Sequence, residues 1–243
     1  MDFAVCLLFL ADGRPDAPAI RALAKENGQF SISIDPEDDG PTNWLELLAN
    51  GLTFDVSGLS PGPAESVSTS GQRFGLDRDF SAEGLESIAI TPGPHLVGGG
   101  AMVPIVRCMA WLAAQLVELP SVQAVVWSPA NTTCSPEYFR ESVMRWISGG
   151  PFPGLGLTGL VPQADGSLLS EGLALFTGQE LRVAADLAQD RSEGAKIALR
   201  MIHWLVENGR VRERLSLTGP SGETLLLEPD DNLGIVKVWR GSR

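Results

Sequence analysis

The sequence predicts an α+β protein: a largely antiparallel or mixed β-sheet with about four to five helices packed on it. Three observations carry this expectation. Segments with strand-like alternation or short apolar runs outnumber segments with helical spacing. Many connections are hairpin-short, as at Ala164-Asp165-Gly166 between two apolar arms. And 243 residues, 44% of them hydrophobic, can bury a large core with no disulfide or metal to staple it. A single domain over 1–243 is expected, with 57–84 as a long Ser/Gly/Pro-rich loop. Neither flank of that loop alone holds a complete set of strands and helices.

The elements follow in order. Residues 3–10 form an unbroken apolar run, as in a strand buried on both faces. Asp16 to Glu26 has helical spacing, with Ile20, Leu23 and Ala24 on one side and Asn27-Gly28 as the stop. Phe30, Ile32 and Ile34 alternate with serines, which predicts a strand. Asn43 to Ala49 is expected as a short helix, and Leu52 to Ser57 as a strand. Glu86 to Ile90 is a short strand, followed by a Pro/Gly turn around His95. A helix then opens near Pro104, where the missing N–H costs nothing, and runs to about Glu118. Val122 to Trp127 is another strand. Ser135-Pro136-Glu137 is a helix start with an N-cap, a proline and a carboxylate at the positive end. Leu155–Val161 and Ser167–Phe176 read as a hairpin whose second arm extends through Glu180 to Val183. A helix runs from Ser192 to Asn208-Gly209. Val211–Leu217, Glu223–Leu227 and Gly234–Trp239 read as three closing strands.

Charge narrows the partners. Eighteen basic against 30 acidic side chains give a net charge of −12, and residues 1–100 alone carry 5 basic and 15 acidic groups. That balance excludes non-specific binding to nucleic acid or to an anionic membrane. Three scattered cysteines without a CxxC pair fit a reducing compartment. The N-terminal apolar run has no basic residue before it and is stopped by Asp12-Gly13, unlike a secretion signal. The run from Ala101 to Val117 contains Pro104, Arg107 and Gln115 and does not suit a bilayer. A cytoplasmic location is expected.

Few motifs carry chemistry. Gly154-Leu155-Gly156-Leu157-Thr158-Gly159 spells G-x-G-x-x-G, but an apolar strand follows it where a dinucleotide site needs a helix. Gly98-Gly99-Gly100 follows a strand and opens a helix, so free amides there suit an anion, with His95 beside them. Cys134 stands just before a helix N-cap, a position that favours thiolate. His95 and His203 are the only histidines, and with no companion ligands no metal site and no cofactor are expected. Arg210, Arg212 and Arg214 share one face of the expected strand by period two. The last helix has a second apolar line, Ile197, Met201 and Trp204, opposite its main stripe; it marks a candidate interface with a second copy or another protein.

The second half carries a recognisable pattern. Leu116–Trp127, Pro136-Glu137-Tyr138-Phe139, Pro151–Leu157 and Glu171–Leu181 occur in order. This resembles an uncharacterised bacterial domain-of-unknown-function family whose recurrent segment reads T-x-G-L-x-x-F-G-x-x-E-I-E. Gly172, Leu173, Phe176, Gly178 or its neighbour, and Glu180 match it, and the match is firmest over roughly 105–210. Ser170-Glu171 stands where the family has its threonine, and Thr177 splits the Phe-Gly pair. The resemblance implies a fold and a bacterial origin, singles out Glu180, and brings no established activity.

Two functions are therefore expected. The first is a non-catalytic binding or interaction protein, in one form a homo-oligomer, using Trp204 and its line. The alternative is a small-molecule binder or enzyme near Pro94-His95 and Gly98–Gly100, with Cys134 and Glu180 contributing.

Overall fold

The computed structural model describes residues 3–36, 43–69, 71–99 and 102–241. It has the expected α+β content, with the strands in two mixed sheets rather than one. The chain divides into two compact units, Met1–Gly150 and Pro151–Arg243. The boundary falls at a Gly-Gly-Pro step and not in 57–84.

The first unit contains β1 (Val5–Phe9), α1 (Ala17–Asn27), β2 (Ser31–Ile34), β3 (Trp44–Ala49), β4 (Leu52–Ser57), β5 (Gln72–Phe74) and β6 (Glu86–Pro92). A 3-10 turn (Pro94–Gly99), α2 (Val103–Leu116), β7 (Val122–Trp127), β8 (Thr132–Cys134) and α3 (Pro136–Ile147) complete it. The strand order is β2-β3-β4-β6-β1-β7-β8-β5. All neighbours are antiparallel except β5 and β8.

Every residue of β1 is buried because the sheet is covered on both faces. On one face Val5 and Leu7 align with Ile90 and Ile88 of β6 and with Trp127 and Val125 of β7. Helix α2 packs against β1, β4 and β6, and α3 against α2 and β7. Arg107, on α2, is held over the Trp146 ring at 5.2 Å, and its guanidinium donates to the carbonyls of Trp146 and Ile147 at the end of α3. The arginine thus adds side-chain donors to carbonyls at the C-terminal end of α3, where Trp146 O also accepts the Gly149 amide at 3.0 Å.

The other face holds Cys6, Leu8, Ala89, Ala124 and Val126. The segment 58–85 covers it with Val67, Leu76, Phe80, Ala82 and Leu85. This stretch is therefore a cover with its own apolar anchors. Arg14 pins its start, donating to the Gly58 carbonyl, to that of Gly62 at 2.9 Å and to Glu86 at 2.8 Å. Short β5 ties it to β8, and there Gly71 lies so close to the Asn131 carbonyl that any Cβ would overlap it.

One expectation fails in this unit. Asn43–Ala49 is not a helix: Trp44–Ala49 is β3, paired with β4 from Trp44↔Ser57 to Ala49↔Leu52. The two-residue turn between them is Asn50-Gly51, with φ of 50° and 78°. Both residues adopt the left-handed conformation that a tight hairpin of this kind requires, and Asn-Gly supplies it.

The second unit contains α4 (Gly154–Leu157), β9 (Gly159–Pro162), β10 (Leu168–Glu171), α5 (Ala174–Thr177) and β11 (Glu180–Val183). It continues with α6 (Ala185–Ala188), α7 (Arg191–Asn208), β12 (Leu215–Thr218), β13 (Thr224–Pro229) and β14 (Ile235–Arg240). The strand order is β12-β13-β14-β11-β10-β9, antiparallel except for β11 beside β14. Three strands are shorter than the sequence implies. Gly156, at φ 104°, kinks α4 and delays β9 to Gly159. The expected strand through Phe176 stops at Glu171, before Gly172 and α5. And 211–214 lies ahead of β12 as irregular chain, so the three arginines are not a ladder on a regular strand.

The core of this unit lies on one side of the sheet. Leu181, Val183, Leu225, Leu227, Val236 and Val238 are buried and recur at every second position. Arg182, Leu226, Lys237 and Trp239 alternate with them and are more exposed. Helix α7 packs against β11, α4, α5 and α6, capped by Asp190, whose carboxylate accepts from the amides of Ser192 and Glu193.

Candidate functional site

Within the first unit, the His95 turn and Cys134 do not come together. His95 is exposed in the 3-10 turn, which packs on β4 and β6 and is held by the Gly93 amide donating to Thr53 O at 2.9 Å. Gly98 and Gly99 belong to the same turn, and Gly100 lies outside the described residues. Cys134 ends β8, in register with Val125, and Val125 in turn with Leu7. Two strands, β7 and β1, thus separate it from β6 and the His95 turn, a distance of about 14 Å at ~4.8 Å per strand. Burial pushes the Cys134 thiol up to about 12, so the helix start beside it does not make a thiolate. Cys6 is pushed up to about 11 for the same reason. Cys108 is buried as well.

Glu180 belongs to the second unit and has a local task. Its carboxylate accepts the Ser170 hydroxyl and the amides of Leu173 at 3.2 Å and Ala174 at 3.0 Å. It thereby satisfies amides at the start of α5. Burial raises its pKa despite these bonds. The five family-like positions Gly172, Leu173, Phe176, Gly178 and Glu180 build this one turn.

The expected interface line is corrected. Ile197 is 4% exposed and Met201 1%, so both are covered inside the protein; only Trp204 remains partly exposed. Helix α7 is buried on two sides because α4 and the sheet both pack on it. His203 accounts for part of this: its Nε2 lies 3.0 Å from the Phe152 carbonyl.

What the second unit does present is a groove between α7 and β12. Arg200, Met201, His203, Trp204 and Glu207 form one wall, and Leu217 and Thr218 the other, around a space of about 310 Å³. Strand β12 is an edge of its sheet. The Gly219 amide donates to the Glu223 carbonyl at 2.8 Å, and β12 pairs with β13 from Leu215↔Leu227 to Thr218↔Thr224. Antiparallel alternation then turns the N–H and C=O of Ser216 and Thr218 away from β13, toward the open side. Both side chains are exposed.

The approach to this edge is fixed by a buried clamp. Gln179, with no exposed surface, donates to the Val211 carbonyl at 2.9 Å and accepts from the Val211 amide at 2.7 Å. One side-chain amide thus pairs with a backbone unit as a neighbouring strand would. Arg210 bonds the Leu233 carbonyl at 2.6 Å, and Arg214 lies over the Trp239 ring at 5.6 Å.

The other sheet edges are shorter, bulged or interrupted. β5 has three residues, β2 shifts register between Ile32 and Ile34, and β9 ends in Pro162. These features discourage strand addition. β12 has none of them. Sequence reasoning singled out Trp204 but missed the edge beside it, which follows from the strand order alone.

Among the described residues, no group of three or more His, Cys, Asp or Glu is placed to hold a metal ion. No helix there is long and apolar enough to cross a membrane. Compared with family models, curated proteins and solved structures, the chain matches none.

Proposed function

We propose that the chain is a non-catalytic binding protein that accepts an extended segment of a partner beside β12. The observation that carries this reading is the combination of an open strand edge with an aromatic-lined groove. The edge offers main-chain hydrogen bonds through Ser216 and Thr218. The groove, with Trp204 in its wall, offers a pocket for the side chains that point toward α7. Backbone pairing supplies affinity in such an arrangement and the pocket supplies selectivity. The buried cysteines with raised pKa values are poor nucleophiles, and the Glu180 carboxylate is engaged by the amides at the start of α5.

The test is a random-peptide display selection on the immobilised protein, with the selected peptides then measured on two variants. Ser216→Pro removes an outward N–H without touching the β12–β13 ladder. Trp204→Ala empties the groove wall. Each is expected to weaken the peptides by about 30-fold, the equivalent of ~2 kcal/mol for an interface anchor. Peptides that bind both variants as tightly as the unaltered protein overturn the reading.

A further inference from the structure

We infer that the segment accepted at β12 is one that alternates acidic and apolar residues. This rests on the reading of β12 as a docking edge and names the chemistry of its partner.

The two sides of β12 differ. Leu215 and Leu217 align with buried Leu227 and Leu225, so this side faces α7 and the groove with Met201 and Trp204. Ser216 and Thr218 face the other side, together with Leu226 and Trp239, which are directly opposite one another on β13 and β14. Arg214 lies over Trp239 on that side, and Arg212 precedes it by two residues, also exposed. An added strand must send successive side chains to opposite faces. One set would enter the groove, where an aliphatic or aromatic group fits. The other set would lie beside Arg214, where a carboxylate fits. In a chain of net charge −12, an exposed arginine set over Trp239 beside an open strand edge is a cationic spot in an acidic molecule. Arginine's fork favours carboxylates in particular.

The experiment uses the full chain and three capped synthetic hexapeptides: alternating Glu and Val, alternating Lys and Val, and the first composition in blocks, with the three Glu ahead of the three Val. Binding is followed by Trp fluorescence and by the mass of the protein in solution. The alternating Glu/Val peptide is expected to bind at least tenfold tighter than either control, and less tightly as salt rises. Arg212→Glu with Arg214→Glu is expected to invert the preference toward Lys/Val, while Ser216→Pro abolishes binding of both. Equal binding of the Glu and Lys peptides, both lost in Ser216→Pro, overturns the acidic partner but leaves β12 as a docking edge. Binding that Ser216→Pro does not change overturns both. A dimer broken by Ser216→Pro, with no peptide bound, makes a second copy the occupant and overturns the acidic segment.

Discussion

The two units solve the same problem in opposite ways. The sheet of the first unit is wrapped: α2 and α3 lie on one face, and the segment 58–85 lies on the other. Its central strand is accordingly apolar at every position. The sheet of the second unit keeps its apolar residues on one side, and its strands alternate, as in β11 with Leu181 and Val183 buried and Glu180 and Arg182 less so. The wrapped sheet has both faces covered, and the space of about 520 Å³ left under its cover is lined largely by polar groups such as Glu65, Thr69, Arg73 and Glu83. A one-sided sheet with an open edge has both backbone groups and a rim of mixed side chains to offer. Function is therefore sought in the second unit, although the sequence places the larger charge and the long Ser/Gly/Pro stretch in the first.

Truncations on the two faces sharpen this contrast most. Phe54→Ala, in the helix-covered core, is expected to cost about 3–5 kcal/mol. Leu8→Ala, beneath the 58–85 cover, is expected to cost about 2–5 kcal/mol, because Leu8 is only 1% exposed. Leu226→Ala, on the outer side of β13, is expected to cost less than about 1 kcal/mol, since much of that side chain is already solvated. Urea unfolding followed by Trp fluorescence checks all three. A small cost for Leu8→Ala would mean that the cover is not packed as a second face.

The Gln179 clamp gives the next largest effect. Gln179→Ala leaves the N–H and C=O of Val211 without their partners. An unsatisfied buried polar group costs about 1–3 kcal/mol, so a loss of roughly 2–3 kcal/mol is expected. The local signature is faster hydrogen exchange at the Val211 amide. Gln179→Glu can still accept from that amide, but it donates to the carbonyl only while protonated, so its cost is expected to grow as pH rises. An unchanged Val211 exchange rate in Gln179→Ala would show that the approach to β12 is held by something else.

The sequence made some of this visible and hid the rest for physical reasons. Helix α3 was legible because its start is local chemistry: Ser135 accepts from the Tyr138 amide, and Pro136 and Glu137 occupy the first turn. The buried-on-both-faces reading of β1 was legible from its unbroken apolar run. Trp44–Ala49 was misread because a six-residue apolar run has no decisive period, and the deciding signal, Asn50-Gly51, lay just outside it. Ile197 and Met201 looked like a spare face because what buries them is brought there by long-range folding, which no local spacing records. The β12 edge was invisible for the same reason. It exists because β14 inserts beside β11 and pushes β12 and β13 outward, a long-range pairing that no local pattern encodes.

The smallest expected effect concerns a pair of like charges on the wrapped sheet. Glu46 and Asp55 are directly opposite on β3 and β4, and Glu46 is 5% exposed. Among the described residues, Asp55 Oδ1 is buried with no hydrogen-bond partner. Burial, and then the charge of Glu46, raise the Asp55 pKa above its ordinary value of 3.8. A carboxyl raised in the folded state holds its proton more tightly there than in the unfolded chain. Stability is then unaffected at a pH below the ordinary carboxylate range, and is lost as pH rises through the raised value. Asp55→Asn removes that loss. It is expected to stabilise the protein by about 0.2–1 kcal/mol at pH 7, the usual size of a cross-strand charge pair, and to change nothing near pH 3. Melting temperatures of the two proteins across this range test it. A variant equally stabilised at both ends would point to packing and not to charge. A variant destabilised at pH 7 would mean that Asp55 is stabilised there in its charged form, and that the pair is held together by something other than its own carboxyls.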